Sequence, residues 1–312
     1  MAESSKRLHP ELFTLRHFTR LFDGGEILLP TADDFKGVFR GDKEPRLLLD
    51  FYTQEMVQER LEHYGVMAKL GQKSFSHIQV RLNVVDPGRQ QVTLYSENEG
   101  PENLLAEVCL HKGAFAPDAD FAGALRHQRF EMLYIQWLRL QNPRAPWTPT
   151  RPALPGQLHP GLKIGREVMH ILVSLAERLG LEGILNIPEF PHAAVLYSER
   201  FRFFNPEVEG ILQALKRDLA DLTLAEASWG VMLGCVTAAD TGRPLRWFKE
   251  EQVLPLSPRW DAYFDSPAYT RVVERTYFNH AYIFDRARYA ALGPLNPDGS
   301  PRPDVKLPVP AL

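Results

Sequence analysis

The stretch Gln157-Leu158-His159-Pro160-Gly161-Leu162-Lys163-Ile164-Gly165-Arg166 carries the strongest chemical signal in the chain. Glycines at 161 and 165 allow a backbone turn that no side chain obstructs. A helix-periodic run follows, and the N-terminus of a helix offers unpaired N–H groups and a partial positive charge. That combination suits a phosphate or pyrophosphate, with Lys163 and Arg166 adding charge. The simpler reading is a tight turn that only starts a helix. Neither Gly-x-x-x-x-Gly-Lys-Ser/Thr nor Gly-x-Gly-x-x-Gly occurs, which argues against a nucleoside triphosphate or a nicotinamide.

Other chemistries have weaker signatures. Glu167-Val168-Met169-His170 and Glu189-Phe190-Pro191-His192 both fit Glu-x-x-His, the spacing that places two ligands on one helical face in di-iron carboxylate proteins. Pro191 disrupts the second motif as a helix, and Glu167 and His170 fall on the polar stripe of the first. No Gly-x-Ser-x-Gly elbow is present. Cys109 and Cys235 lack a catalytic signature, and Cys235 reads as a small core residue. The aromatic stretch from Trp247 to Phe284 mixes rings with Arg and Asp; such rings can stack bases, but they more often pack an irregular subdomain.

The elements that must position these residues follow from periodicity. Leu47–Tyr64 has a helical apolar face of Leu48, Phe51, Tyr52, Met56 and Leu61. Ile78, Val80, Leu82 and Val84 then alternate with polar residues, as in a half-buried strand. Asp86-Pro87-Gly88 is a turn, Gln91–Glu97 alternates again, and Leu104, Ala106, Val108 and Leu110 form a third run. The three make an antiparallel meander. Phe130–Leu140 reads as a further strand. Asn142–Pro160 is too rich in proline for a helix or inner strand and reads as an ordered connection over the surface. Arg166–Leu179 is the clearest helix, closed by Gly180. Gly183–Ile187 is a short strand, His192–Arg200 a helix, and Asn205-Pro206-Glu207 opens another. Ser228–Thr237 is expected as a strand, with Asp240-Thr241-Gly242 turning it into a hairpin.

Gly161–Ile187 followed by Pro191–Phe203 (PHAAVLYSERFRF) resembles the acyl-CoA-binding half of the GNAT family of N-acyltransferases. In that family a glycine-containing loop starts a helix and cradles the CoA pyrophosphate. A strand follows, then a helix of the form Asn-x-x-Ala-x-x-Leu-Tyr ending in Gly-Phe. Gly161, Ile164 and Gly165 match loop positions, and Ala193, Leu196 and Tyr197 match the second helix. The chain departs at Pro160 and Lys163, has Phe190 in place of the Asn, and has Phe201-Arg202-Phe203 in place of Gly-Phe. The likeness covers about 45 residues.

The resemblance implies an α/β (α+β) fold with a GNAT-like mixed sheet. It implies acyl transfer, with acetyl-CoA or another acyl-CoA as co-substrate and an amine as acceptor. Gly161, Leu162, Lys163, Ile164, Gly165 and Arg166 would hold the pyrophosphate, and Tyr197 would protonate the departing thiolate. Glu107 and His111, on one face of the third meander strand, are the candidate bases, though such a face is commonly just solvated. His159, beside the loop, could orient a substrate. The rival from another class is an interaction module on a degenerate acyltransferase fold.

Composition bounds the rest. The 312 residues suffice for one large domain or two small ones. With 36 Lys and Arg against 39 Asp and Glu, the net charge of -3 leaves no electrostatic footprint for nucleic acid. Two cysteines cannot make a disulfide framework, which fits a reducing compartment. Met1–Arg20 lacks the apolar run of a signal peptide, and no stretch of about 18 apolar residues could span a membrane. The expectation is a soluble, cytoplasmic protein. Its parts are a helical N-terminal extension (1–73), an acyltransferase-like core (74–236) and an aromatic, Pro-rich C-terminal extension (237–312).

Overall fold

The computed structural model describes residues 47–307. Residues 1–46 of the N-terminal extension and 308–312 of the tail lie outside the described residues. The helix expected from Leu47 begins later, as α1 (Gln54–His63), because Leu49 and Asp50 take positive φ in a turn closed by the Leu48–Tyr52 bridge. Thr53 caps it by accepting from the Met56 N–H, and α2 (Val66–Gln72) follows.

The meander forms as its two-residue period requires. β1 (Ile78–Asp86), β2 (Arg89–Ser96), β3 (Leu104–Phe115) and β4 (Phe130–Leu140) pair antiparallel in sequence order. The Pro-rich connection then runs without a helix or strand of its own, yet it is anchored. Ala153 is buried, and its carbonyl accepts from Trp229 Nε1 at 2.8 Å. α3 (Gly165–Arg178) buries its apolar stripe and ends at Gly180, whose φ of 66° is the left-handed close expected there.

β5 (Gly183–Asn186), α4 (Pro191–Tyr197) and α5 (Pro206–Asp218) complete the expected order, and a two-residue strand outside that expectation, β6 (Arg202–Phe203), lies between α4 and α5. Asn205 caps α5 by accepting from the Glu207 N–H.

Ser228–Thr237 is corrected. Most of it belongs to a helix, α6 (Leu224–Met232), and only Val236–Ala238 forms a strand, β7. Thr223 and Glu226 make a reciprocal capping box that starts the helix. β7 pairs with β9 (Tyr282–Phe284), and the turn at Asp240–Gly242 is closed by the Ala238 N–H donating to Arg243 O at 2.9 Å.

Packing crosses the expected boundaries at 73/74 and 236/237. Leu48, Val57, Leu61 and Leu70 share one core with Val80, Val92, Leu110 and the buried face of α3. β8 (Gln252–Pro255), from the C-terminal segment, inserts between β5 and β6. α7 (Pro258–Phe264) and α8 (Pro267–Asn279) follow, then β9 and α9 (Arg286–Leu292). The C-terminal aromatics pack as expected, but into a core rather than an irregular subdomain. Trp260, Tyr263, Phe264 and Tyr269 lie with Phe130 and Met132 of β4, Leu185 of β5 and Val253 of β8.

Among the described residues the main sheet has the order β1-β2-β3-β4-β5-β8-β6, and β4–β5 is its one parallel contact. That contact covers Met132–Ile135 against Gly183–Asn186. Beyond Ile135, β4 runs on to Leu140 without pairing to β5. A bulge marks the parting: Cys109 faces Trp137 and Leu110 faces Ile135, so Gln136 is the extra residue. A bulge bends its strand and increases local twist. Gln136 is tied down on both sides, accepting from Cys109 Sγ at 3.0 Å and donating to Gly88 O at 2.9 Å.

Under α1 and α3 the core encloses an apolar void of about 50 Å³, lined by Val92, Leu94, Ala106, Val168 and their neighbours. Val92→Ile adds one methylene to a β-branched strand position beside it. The expected gain is about 0.8 kcal/mol, read as a higher urea midpoint with an unchanged slope.

Candidate functional site

Where β4 leaves β5, the sheet opens into a cleft of about 620 Å³, a volume typical of small-molecule sites. One wall is β4 from Ile135, the last residue paired to β5, to Leu140, with Gln141 just beyond it; the other runs from Asn186 through Phe190 into His192, Ala193 and Tyr197 of α4. Pro155–His159 close one side, and Arg89 and Glu107 reach in from the meander. Leu158 and Ile187 stand exposed at the rim.

A glycine the sequence reading passed over holds two of these walls together. Gly156 has φ 79°, and a Cβ there would lie 2.7 Å from the Phe190 ring. Phe190 in turn stacks on His192, with centroids 5.6 Å apart and planes at 11°. The cleft-closing loop, the β5–α4 turn and the start of α4 are therefore packed ring on backbone.

Of the candidate catalytic residues, the cleft brings together Tyr197 and Glu107, with His159 also in its lining, and leaves out His111. Tyr197 packs against the α3-side core, 5.2 Å from the Phe201 ring. Burial pushes its phenol up to about 12, so it stays protonated at neutral pH. The Glu107 carboxylate accepts from Gln91 Nε2 and has Arg139 Nη1 3.7 Å away. His111 instead stacks on Tyr134 at 4.5 Å, further along β3. Burial lowers its pKa and keeps it neutral, but it does not line the cleft.

The loop departs from its expected geometry. Gly161 and Gly165 have ordinary φ, and a Cβ at either would meet only contacts of 3.8–3.9 Å. The left-handed residue is Lys163, at φ 60°. Arg151 donates to the Gly161 carbonyl, and the Leu162 N–H already donates to Leu140 O at 3.2 Å. Leu162 is thus removed from the set of free donors. The helix start differs: Val168 N–H to Ile164 O is the first bond of α3, and no side chain caps that end. Gly165 and Arg166 are exposed there, with amides that the helix cannot pair internally. Gly161–Arg166 do not line the cleft itself; they continue from its Pro155–His159 side to the start of α3.

The two Glu-x-x-His motifs separate. Glu167 pairs with Lys69 of α2 at 2.7 Å, while Glu189 is exposed at the rim and His192 buried in the cleft. No group of three or more His, Cys, Asp or Glu among the described residues is placed to hold a metal. Periodicity missed Asn186 altogether. Its one signal was a polar residue ending the otherwise apolar strand Gly-Ile-Leu-Asn, where it is 4% exposed. His192 was considered only as a metal ligand. It is 8% exposed, and burial alone lowers its pKa to about 4.

No protein-family model matches the chain, and no curated protein matches it significantly. Among the described residues, no helix is long and apolar enough to cross a membrane.

Proposed function

We propose that the protein is a cytoplasmic N-acyltransferase that moves an acyl group, in the simplest case acetyl, from an acyl-CoA to an amine. The carrying observation is the parting of the parallel β4–β5 pair at the Gln136 bulge, which opens a cleft leading toward the uncapped start of α3. The order meander, loop, α3, β5, α4 supports the same reading, being the order the GNAT resemblance implies. Both cysteines are free and buried, in keeping with a reducing compartment.

In this reading the amides of Gly165 and Arg166, with the Arg166 and Lys163 side chains, hold the diphosphate at the positive end of α3. The pantetheine arm passes Leu140 and enters between β4 and β5. Glu107 takes the proton from the acceptor ammonium, directly or through one water, and the free amine attacks the thioester carbonyl. The C–N bond forms, the C–S bond breaks, and the thiolate takes the Tyr197 proton; the proton still on the acylated nitrogen passes to the resulting tyrosinate, directly or through water, which leaves a neutral amide and restores the phenol. A phenol near 12 is a weaker acid than a free thiol. The same dry surroundings raise the basicity of a buried thiolate, which narrows that gap.

Titration calorimetry with acetyl-CoA tests the assignment. Binding is expected with a Kd of about 1–100 μM and a loss of at least ~10-fold in Gly165→Trp, about 1.4 kcal/mol, because an indole would cover the exposed amides. Failure of the wild-type protein to bind acetyl-CoA or longer acyl-CoAs would overturn the reading and favour an interaction module. Tyr197→Phe should bind acetyl-CoA unchanged and lower kcat about 100-fold or more; full turnover would remove Tyr197 from this role.

A further inference from the structure

The cleft contains polar groups that the fold does not satisfy. Asn186 is 4% exposed, and neither its Oδ1 nor its Nδ2 has a hydrogen-bond partner among the described residues. His192 carries an unpartnered Nδ1. Gln252 faces Asn186 across the β5–β8 register, so the two side chains share a face of the sheet. Its Nε2 donates to Ala194 O in α4 at 3.3 Å, while its Oε1 is unpartnered. Buried polar atoms are ordinarily hydrogen-bonded, so four without a partner on these three side chains call for an explanation. Asn186 and His192 both line the cleft, where a ligand could complete them.

The chemistry of that ligand follows from what is missing. All three side chains are uncharged, His192 included, because burial keeps its imidazole neutral. An ionic group beside them would meet no counter-charge from this trio, and a hydrocarbon would leave the four unpartnered atoms unmet. The Asn side chain offers one acceptor next to one donor, the complement of a carboxamide, whose N–H and C=O can pair with it together.

We propose that Asn186, with His192, is a recognition site for an uncharged carboxamide group of the ligand. The inference rests on the reading of this cleft as a ligand site. Two sources carry the group: the pantetheine arm of an acyl-CoA, which has two amides, and a peptide-like second substrate.

Asn186→Leu separates a ligand-reading residue from a structural one. Removing polar atoms that have no partner is expected to raise Tm by about 2–4 °C, while binding of the carboxamide ligand weakens at least ~10-fold. Three probes identify the source: acetyl-CoA, N-acetylalanine methylamide, and adenosine 3′,5′-bisphosphate, which carries the nucleotide without amides. Acetyl-CoA weakened with the bisphosphate unaffected assigns the site to the pantetheine arm. N-acetylalanine methylamide bound by the wild type and lost in the variant assigns it to the second substrate. Asn186→Ala, which only removes atoms, must show the same loss of binding, so the test does not depend on Leu fitting. The proposal is overturned if neither carboxamide probe binds the wild type, or if binding survives both substitutions. Binding of the bisphosphate reports separately whether the cofactor reading stands.

Discussion

Trp260→Ala is expected to cost about 3–5 kcal/mol of stability, seen as a fall in the denaturant midpoint at unchanged slope. Trp260 is fully buried, and its ring meets Phe130 at 4.5 Å and Phe204 and Phe264 at 5.9 Å. Its alanine variant would leave a void that this ring cluster, held between the sheet and α7, cannot close. Trp260→Phe should cost far less, about 1–2 kcal/mol. It keeps a ring in place, and the indole N–H has no hydrogen-bond partner to lose among the described residues. Equal costs for the two variants would contradict the packing account. The consequence reaches the cleft, because Phe130 and Met132 of β4 and Leu185 of β5 rest on the same cluster. The strands whose other ends part are held together here.

The second large effect is a pH dependence of stability. His192 titrates at about 4 in the folded protein, against about 6.5 in an unfolded chain. Between those values the unfolded state binds the extra proton, so stability rises with pH across that window and is lost as pH falls through it. The full difference is about 3 kcal/mol, present above pH 6.5 and gone below about pH 4. Urea unfolding at pH 7.5, 5.5 and 4.5 should show this slope in the wild type. His192→Gln should flatten it by nearly that amount, since other titrating groups affect both proteins alike. An identical pH profile for the two proteins would refute the assignment.

Much of the sheet was legible in the sequence. The alternation through Ile78–Val84, Gln91–Glu97 and Leu104–Leu110 could bury only one face, and the short polar links between the runs left antiparallel pairing as the simple outcome. α3 and α5 were equally clear, because a wide apolar stripe with a Gly or Asn at the right end satisfies the termini locally. Ser228–Thr237 was misread because a short, continuous apolar run has no period to distinguish a buried helix from a buried strand. The deciding signal lay upstream, in the Thr223–Glu226 capping box.

The site was legible only in pieces. Tyr197 was reached by resemblance and Glu107 by its strand face. Asn186 and His192 were not grouped with them, because nothing within a few residues relates the end of β5 to the middle of β3. The positive φ at Lys163 and the bond that occupies the Leu162 amide likewise depend on how the loop meets Leu140.

By itself, then, the chain determined whatever depends on neighbours in sequence: the period of each run, most of the caps, and the succession of meander, loop, helix, strand and helix. Only the tertiary structure decided what depends on distant partners. It placed Gln252–Pro255 between strands from nearly 70 and 50 residues earlier, set where β4 parts from β5, and chose which polar side chains were buried without a mate. The physical reason is that hydrophobic burial carries no direction of its own. It tells a segment to hide one face, and only the assembled sheet determines against what.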